Sequence, residues 1–205
     1  MDERARPLEL EHLDRDPLRQ FELWFHEVES LVRAPEAMAL ATATADGAPS
    51  VRMVLLKGFG RDGFLFFSGH ESRKGRELAA NPRAALLFYW DPVGRQVRIE
   101  GSVTQVAPAE TEAYFRSRPR GAQLAALASR QSEALTDRAE LEARFAELEA
   151  ELEGAEVPVP PSWGGFRLRP AAYEFWQHRE NRLHDRFRYR PERDGDGWAI
   201  ERLYP

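Results

Sequence analysis

The stretch MALATATADGAPSVRMVLLKGFGRDGFLFFS, Met38 to Ser68, decides the fold. Residues 38–44, 50–58 and 64–68 are rich in Val, Leu, Ala, Thr and Phe, several of which suit a pleated, half-buried surface. Between them lie Ala45-Asp46-Gly47-Ala48-Pro49 and Gly60-Arg61-Asp62-Gly63, where Gly, Asp and Pro allow the chain to reverse. The spacing predicts three consecutive strands joined as a meander.

N-terminal to this unit, Asp16-Pro17 offers a cap and a first-turn proline. Leu18, Phe21, Trp24, Phe25, Val28 and Leu31 follow at helical spacing. Residues 1–15 are charged and aperiodic and read as a mobile arm. C-terminal to it, 72–80 reads as a short helix closed by Asn81-Pro82. Residues 83–90 and 96–106 read as a hairpin across Asp91-Pro92-Val93-Gly94. Helices are expected over 108–117 and 123–129, and a longer one begins at Asp137, with Glu140 completing a capping box. Leu141, Phe145, Leu148 and Leu152 form its apolar stripe, and Gly154 ends it. After a stiff Pro-rich loop, 166–168, 173–177, 186–189 and 198–203 read as final strands. Strands, inserted helices, then strands predict a mainly β (α+β) fold: a Greek-key β-barrel with helices packed outside, as one domain over 16–205.

Arg182-Leu183-His184-Asp185-Arg186 stands out for its charge. On a strand, Arg182, His184 and Arg186 share one face at spacings of roughly 7 Å. Such a row repels itself, which argues for an anion or an electron-rich ring across it. A solvated strand neutralised by Asp185 and Glu180 fits the same pattern.

The 205 residues hold 29 Lys plus Arg against 34 Asp plus Glu, a net charge of −5 that argues against a nucleic-acid surface. Positive charge is instead local: 167–190 contains seven arginines and three acids. With no cysteine there is no disulfide, thiolate nucleophile or Cys metal site, which fits a reducing cytoplasm. Met1-Asp2-Glu3-Arg4 lacks an apolar signal core, and no run approaches the roughly 18 apolar residues of a membrane span. A soluble cytoplasmic protein without a membrane partner is expected.

Several groups could grip anions. Ser68, Ser72, Arg73 and Lys74 lie at a strand end and a helix start, where hydroxyls, backbone N–H groups and two cations suit a phosphate; solvated cations near a helix end would look alike. Arg52 and Lys57 flank an apolar strand five residues apart, hence on opposite faces. They serve one site only if a ligand runs along the strand or a bulge intervenes; otherwise they are edge cations reaching water. Tyr114 and Arg118, at i and i+4, share a helical face as a second phosphate grip or as a surface pair. No glycine-rich nucleotide loop, zinc-type His/carboxylate spacing or Gly-x-Ser-x-Gly elbow is present, so no metal is expected.

Taken in order, RMVLLK (52–57), SRK (72–74), RQV (95–97), SRPR (117–120), RQS (130–132), SWGGF (162–166), FWQ (175–177), RLHDRF (182–187) and the terminal RLYP resemble the pyridoxine (pyridoxamine) 5′-phosphate oxidase family. The resemblance covers nearly all of the chain beyond residue 16. It implies a split β-barrel homodimer with FMN at the subunit interface. It also implies hydride transfer from C4′ of pyridoxamine or pyridoxine 5′-phosphate to flavin N5, giving pyridoxal 5′-phosphate, with O2 reduced to H2O2.

Carried over, the resemblance assigns the FMN phosphate to Arg52, Ser68, Arg73 and Lys74. Met53, Val54, Leu55, Leu56, Lys57 and Phe67 belong to the same cofactor segments, with Val54 and Leu55 along the flavin. Gln96, Gln131, Ser132, Trp176 and Arg186 complete the flavin site, some of them from the partner chain. Lys57, Tyr114 and Arg118 take the substrate phosphate. Arg182 and His184, with Leu183 between them, lie over the pyridine near the reacting carbon as the catalytic pair.

Three positions depart from the family pattern. Ala122 stands where a serine often meets the substrate phosphate, Ser68 replaces a threonine, and the N-terminal arm lacks the Arg and Tyr that cover substrate in some members. Phenazine-biosynthesis oxidases share the FMN frame, and a non-catalytic flavin- or pyridoxal-phosphate-binding protein of the same fold is the alternative from another class.

Overall fold

The computed structural model describes residues 7–192 and 197–205. In chain order the elements are α1 (Pro17–Val28), β1 (Ala37–Ala43), β2 (Pro49–Leu55), β3 (Gly58–Gly60), β4 (Gly63–Gly69), α2 (Arg73–Ala80), β5 (Arg83–Trp90), β6 (Arg95–Gln105), α3 (Pro108–Ser117), α4 (Arg120–Ala128), α5 (Arg138–Glu151), β7 (Trp163–Gln177), β8 (Asp185–Pro191) and β9 (Trp198–Arg202). The fold is mainly β: a half-barrel sheet with helices against it, as expected.

The order β2-β1-β5-β6-β7-β4-β3 corrects the predicted meander. β1 pairs with β2, and β3 with β4, but β2 and β4 lie towards opposite ends of the path. Residues 50–58 are also not one strand. The chain leaves β2 at Leu55, buries Leu56, and sends the Lys57 N–H to the Leu65 carbonyl at 2.8 Å. Alternation shows which residues point inward but not which edge a strand pairs with.

β7 organises the other half. Its 15 residues are long enough to hold two neighbours on one edge. The first part pairs with β4, from Leu168 to Trp163, and the last part with β8, from Tyr173 to Gln177, while β6 runs along the opposite edge. The sequence reading placed two strands, 166–168 and 173–177, where β7 runs unbroken through Pro170. A register shift at Glu100/Gly101, beside Pro170, absorbs the proline. There a Cβ on Gly101 would lie 2.0 Å from the Arg169 carbonyl oxygen, so only glycine allows this approach.

Residues 182–186 are likewise not one strand. Glu180–Arg182 forms a 3-10 turn with Asn181 and Arg182 at φ of 56° and 62°, and β8 begins only at Asp185. The shared face expected for Arg182, His184 and Arg186 therefore does not form.

Helix α1 packs on β3, β4 and β5. The Asp16 carboxylate accepts from the Leu18 N–H, as expected of a cap, and the helix ends at Val28, so Leu31 lies beyond it and is exposed. Phe21, fully buried, meets Phe59 and Phe64 edge-on at 5.0 Å, a burial that contributes about 1.5–3 kcal/mol. Buried Arg95 ties α1 to the sheet through Glu27, Gln177 and the face of Trp24. Phe115, Leu124, Leu148 and Val157 form a second cluster under α3, α4 and α5. α4 starts at Arg120, ahead of the expected 123, and Asp137 caps α5 through the Ala139 N–H.

Of the expected arm, residues 1–6 lie outside the described residues. The rest packs on the core: Leu8 and Leu13 are buried, and the Leu8 N–H donates to Asp185 at 3.1 Å. Among the described residues no helix is long and apolar enough to cross a membrane, and no group of three or more His, Asp or Glu could hold a metal.

Candidate functional site

The gap between β2 and β4 opens into a cleft of about 1060 Å³. At one end, α2 begins against β4. The Ser72 hydroxyl caps the helix by accepting from the Gly75 N–H at 3.2 Å and donates to the Gly69 carbonyl at 2.7 Å. A Cβ on Gly75 would fall 2.1 Å from the His70 carbonyl oxygen, so glycine lets the first helical turn sit on the 69–70 turn. The Lys74 ammonium is buried there and donates to Ser68 Oγ at 2.8 Å and Ser72 Oγ at 3.3 Å. Burial pushes its pKa down, neighbouring Arg52 adds to that, and Glu77 opposes it. Gln131 closes this end by accepting from Ser68 Oγ at 3.0 Å and the Gly69 N–H at 3.1 Å. Ser132, at φ 75°, lines the cleft beside it.

Behind Lys74 lies Glu77, which the sequence reading missed. Its carboxylate accepts from Ser50 at 2.6 Å, Arg52 at 3.3 Å, Arg73 at 2.9 Å and also Thr42. The signal was present in sequence as an Arg73/Glu77 i, i+4 pair inside α2. Burial alone would raise its pKa, but the hydrogen bonds from Ser50, Thr42, Arg73 and Arg52 draw it down to about 2. Because the folded value lies below the ordinary 4.5, this group stabilises the fold above that value, and the contribution is lost as pH falls towards 2. In urea melts, Glu77→Gln is expected to flatten the loss of stability across that window. An unchanged slope would contradict the assignment.

Another part of the cleft lining is aromatic and cationic. Phe67 stacks on Tyr114 with ring centroids 3.9 Å apart, and Trp163 continues the stack 5.3 Å from Phe67. The Arg118 guanidinium lies over Trp163 at 4.7 Å, and its Nη1 is buried without a hydrogen-bond partner. Burial lowers its pKa, whereas Tyr114 raises it. Arg118 is not helical, as i, i+4 spacing had predicted: α3 ends at Ser117 and Arg118 is extended. It reaches the same cleft as Tyr114 nonetheless. Lys57 lines this cleft with Arg52 because β2 ends between them, which resolves their opposed positions on an ideal strand.

β2 supplies one wall. Val51, Met53 and Leu55 are exposed along one face of an edge strand, whose outer backbone groups have no strand partner among the described residues. Val54 also lines the cleft, whereas the Leu56 side chain joins the core.

A second hollow, of about 610 Å³, is lined by Trp176, His178, Arg182 and His184 among others. The Trp176 and His184 rings lie 4.5 Å apart, and the His178 and His184 rings 5.3 Å. His184 Nδ1 accepts from the Arg179 N–H at 3.1 Å, so the neutral ring carries its proton on Nε2. Burial, His178 and Arg182 lower the His184 pKa while Asp185 raises it. Leu183 is exposed beside them. Gln96, Trp176 and Arg186 are cross-strand neighbours on β6, β7 and β8, and Arg186 is anchored by Glu174 at 2.8 Å and the Tyr204 carbonyl at 2.9 Å.

All the predicted residues fall into two groups except Leu56, predicted for the cofactor but buried in the core, and Leu183, predicted for the substrate but exposed outside the hollow. Arg52, Met53, Val54, Leu55, Lys57, Phe67, Ser68, Arg73, Lys74, Tyr114, Arg118, Gln131 and Ser132 share the large cleft. Trp176, Arg182 and His184 share the other hollow, with Gln96 and Arg186 next to Trp176 on the sheet. Trp163 and Trp176, one in each lining, lie at opposite ends of β7, at most roughly 40 Å apart along the strand.

Residues 25–151 match the family model for pyridoxamine 5′-phosphate oxidase, and 163–205 that for the pyridoxine 5′-phosphate oxidase C-terminal dimerisation region. A pyridoxine/pyridoxamine 5′-phosphate oxidase of Rubrobacter xylanophilus is 56% identical over 193 residues, covering 94% of this chain and 88% of the relative. A protein of the same name from Cyanothece sp. is 51% identical over 205 residues, covering 100% and 95%. Among solved structures, PhzG from Burkholderia lata, in complex with tetrahydrophenazine-1-carboxylic acid, gives a TM-score of 0.90 at 36% identity over 98% of this chain and 99% of that one. A pyridoxamine 5′-phosphate oxidase-related, FMN-binding protein from Nostoc punctiforme shares the fold, with a TM-score of 0.72 at 20% identity over 93% and 98%.

Proposed function

The chain belongs to the pyridoxine/pyridoxamine 5′-phosphate oxidase family, and on that premise we propose that it oxidises pyridoxamine or pyridoxine 5′-phosphate to pyridoxal 5′-phosphate on FMN, as a homodimer whose sites each draw on both subunits. The observation that carries this reading is one cleft lined by two sets of anion-gripping residues, Ser68/Ser72/Arg73/Lys74 and Lys57/Tyr114/Arg118. A phosphorylated cofactor and a phosphorylated substrate require two such grips.

The residues present fit FMN. Buried Lys74, two hydroxyls and the start of α2 suit its phosphate, and the apolar wall and free edge of β2 suit a flat ring with polar margins. Bound FMN would accept the hydride and be reoxidised by O2 to give H2O2. The chain's own task is placement. Arg118 Nη1, buried and unpartnered, is ready for a substrate phosphate oxygen, while Lys57 and Tyr114 add a charge and a hydroxyl.

Arg182 and His184 would complete the site from the partner subunit, since in their own chain they line a separate hollow at the other end of β7 from Trp163. A guanidinium can lie flat on the pyridine, and His184 offers an Nε2–H donor at the reacting side.

Anaerobic addition of pyridoxamine 5′-phosphate to the purified yellow protein is expected to bleach the flavin absorbance. A colourless protein, or absorbance that persists, would overturn this reading. The second reading, an oxidase of a carboxylated tricycle, is favoured by the likeness to PhzG; bleaching by such a carboxylic acid but not by pyridoxamine 5′-phosphate would select it. Ala122 lines the cleft near Arg118, so Ala122→Ser is expected to lower KM for pyridoxine 5′-phosphate several-fold by adding a hydrogen bond worth about 1 kcal/mol. An unchanged or higher KM would show that the phosphate lies elsewhere.

A further inference from the structure

The phosphate cradle contains three cations and one buried carboxylate. Arg52, Arg73 and Lys74 surround the start of α2, and the Glu77 side chain, 4% exposed, pairs with both arginines. A carboxylate offers about four lone-pair sites; Thr42, Ser50 and Arg52 all donate to Oε2 and Arg73 to Oε1, which leaves one site on Oε1. Glu77 therefore has little capacity left for a ligand; it acts on the groups around it. Arg52 is also committed: its Nη1 donates to the Leu40 carbonyl at 3.2 Å and to Thr42, and its Nη2 to Ser50 and Glu77. Arg73 gives Nε to Glu77, which leaves its two terminal nitrogens for a ligand.

We infer that Glu77 is the resident counter-ion of this cradle: it holds Arg52 and Arg73 in place while no phosphate is bound, and it trims three positive charges to the two that a phosphate dianion balances. The inference rests on the reading of the cradle as the FMN phosphate site. Without Glu77, a largely buried guanidinium loses its carboxylate partner, a change that strongly destabilises a fold. An arriving phosphate supplies negative charge to the same cations and takes over part of that compensation. Glu77 consequently matters most in the empty protein. Its charge also repels the phosphate it makes room for, so it moderates affinity for FMN relative to riboflavin, which lacks the phosphate.

The test compares wild type with Glu77→Gln in two measurements: melting temperatures of the apoprotein and the FMN-loaded protein, and fluorescence titration of both apoproteins with FMN and with riboflavin. The variant's apoprotein is expected to melt several degrees lower, with a smaller drop when FMN-loaded, and the FMN-to-riboflavin affinity ratio is expected to rise several-fold. A variant that folds only with FMN present is the extreme form of the same result. Equal drops in both forms, a ratio that is unchanged or lower, or failure to fold even with FMN would overturn the inference and reduce Glu77 to ordinary hydrogen bonding. A wild-type apoprotein that binds riboflavin as tightly as FMN would instead overturn the cradle reading itself.

Discussion

Replacing Arg182 with lysine is expected to lower kcat on the order of 10²-fold while flavin content stays near that of the parent protein. The residue occupies a costly backbone position. Asn181 and Arg182 both have positive φ, 56° and 62°, and such conformations cost about 1–3 kcal/mol each unless the surroundings hold them. Here the Leu183 N–H bonds to the Glu180 carbonyl at 3.1 Å, and the Arg179 N–H bonds to His184 at 3.1 Å, locking the turn on both sides. The strain delivers a guanidinium into the hollow beside Trp176 and His184. Lysine keeps the charge but loses the flat face and the fork of donors, so binding of a ring survives better than its polarisation. The phosphate cradle contains none of these residues. Equal kcat values, or loss of flavin with the substitution, would contradict the role assigned to Arg182.

The second large effect concerns the substrate phosphate. Arg118→Met keeps an unbranched apolar stem against Trp163 but removes the charge, and KM for pyridoxine 5′-phosphate is expected to rise on the order of 10²-fold, with FMN content unchanged. The magnitude follows from the burial of Nη1. A buried donor without a partner costs about 1–3 kcal/mol, and the bound phosphate relieves that cost in the parent protein only. Unphosphorylated pyridoxine should be used poorly by both proteins and discriminate little between them. A parallel loss for both substrates would mean that Arg118 supports the aromatic stack and not the anion.

Much of this architecture was legible in the residues because local signals agree with the fold. Asp16-Pro17 starts α1, Ser72 starts α2, and 83–90 returns as β5. The readings failed where a non-local partner overrides local pattern. Pro170 would end an isolated strand, yet the register shift beside Gly101 carries β7 through it. Alternation over 182–186 is overruled by two left-handed residues that the flanking hydrogen bonds hold. Arg118 reaches the cleft from an extended backbone and not from the helical face it shares with Tyr114 by spacing. Glu77 escaped notice because a carboxylate beside a phosphate cradle looks unfavourable until Thr42 and Ser50, from β1 and β2, join the two arginines around it.

The proposed division of the site between cleft and hollow places the strongest demand on the quaternary structure. Arg118→Met and Arg182→Lys subunits, each of low activity alone, can be unfolded together, refolded as a mixture and assayed with FMN and pyridoxine 5′-phosphate. Sites built across two subunits give each mixed dimer one intact pairing of a cleft with a hollow, so the mixture should regain activity well above either parent. A mixture no more active than the mean of its parents would show that each site is complete within one chain.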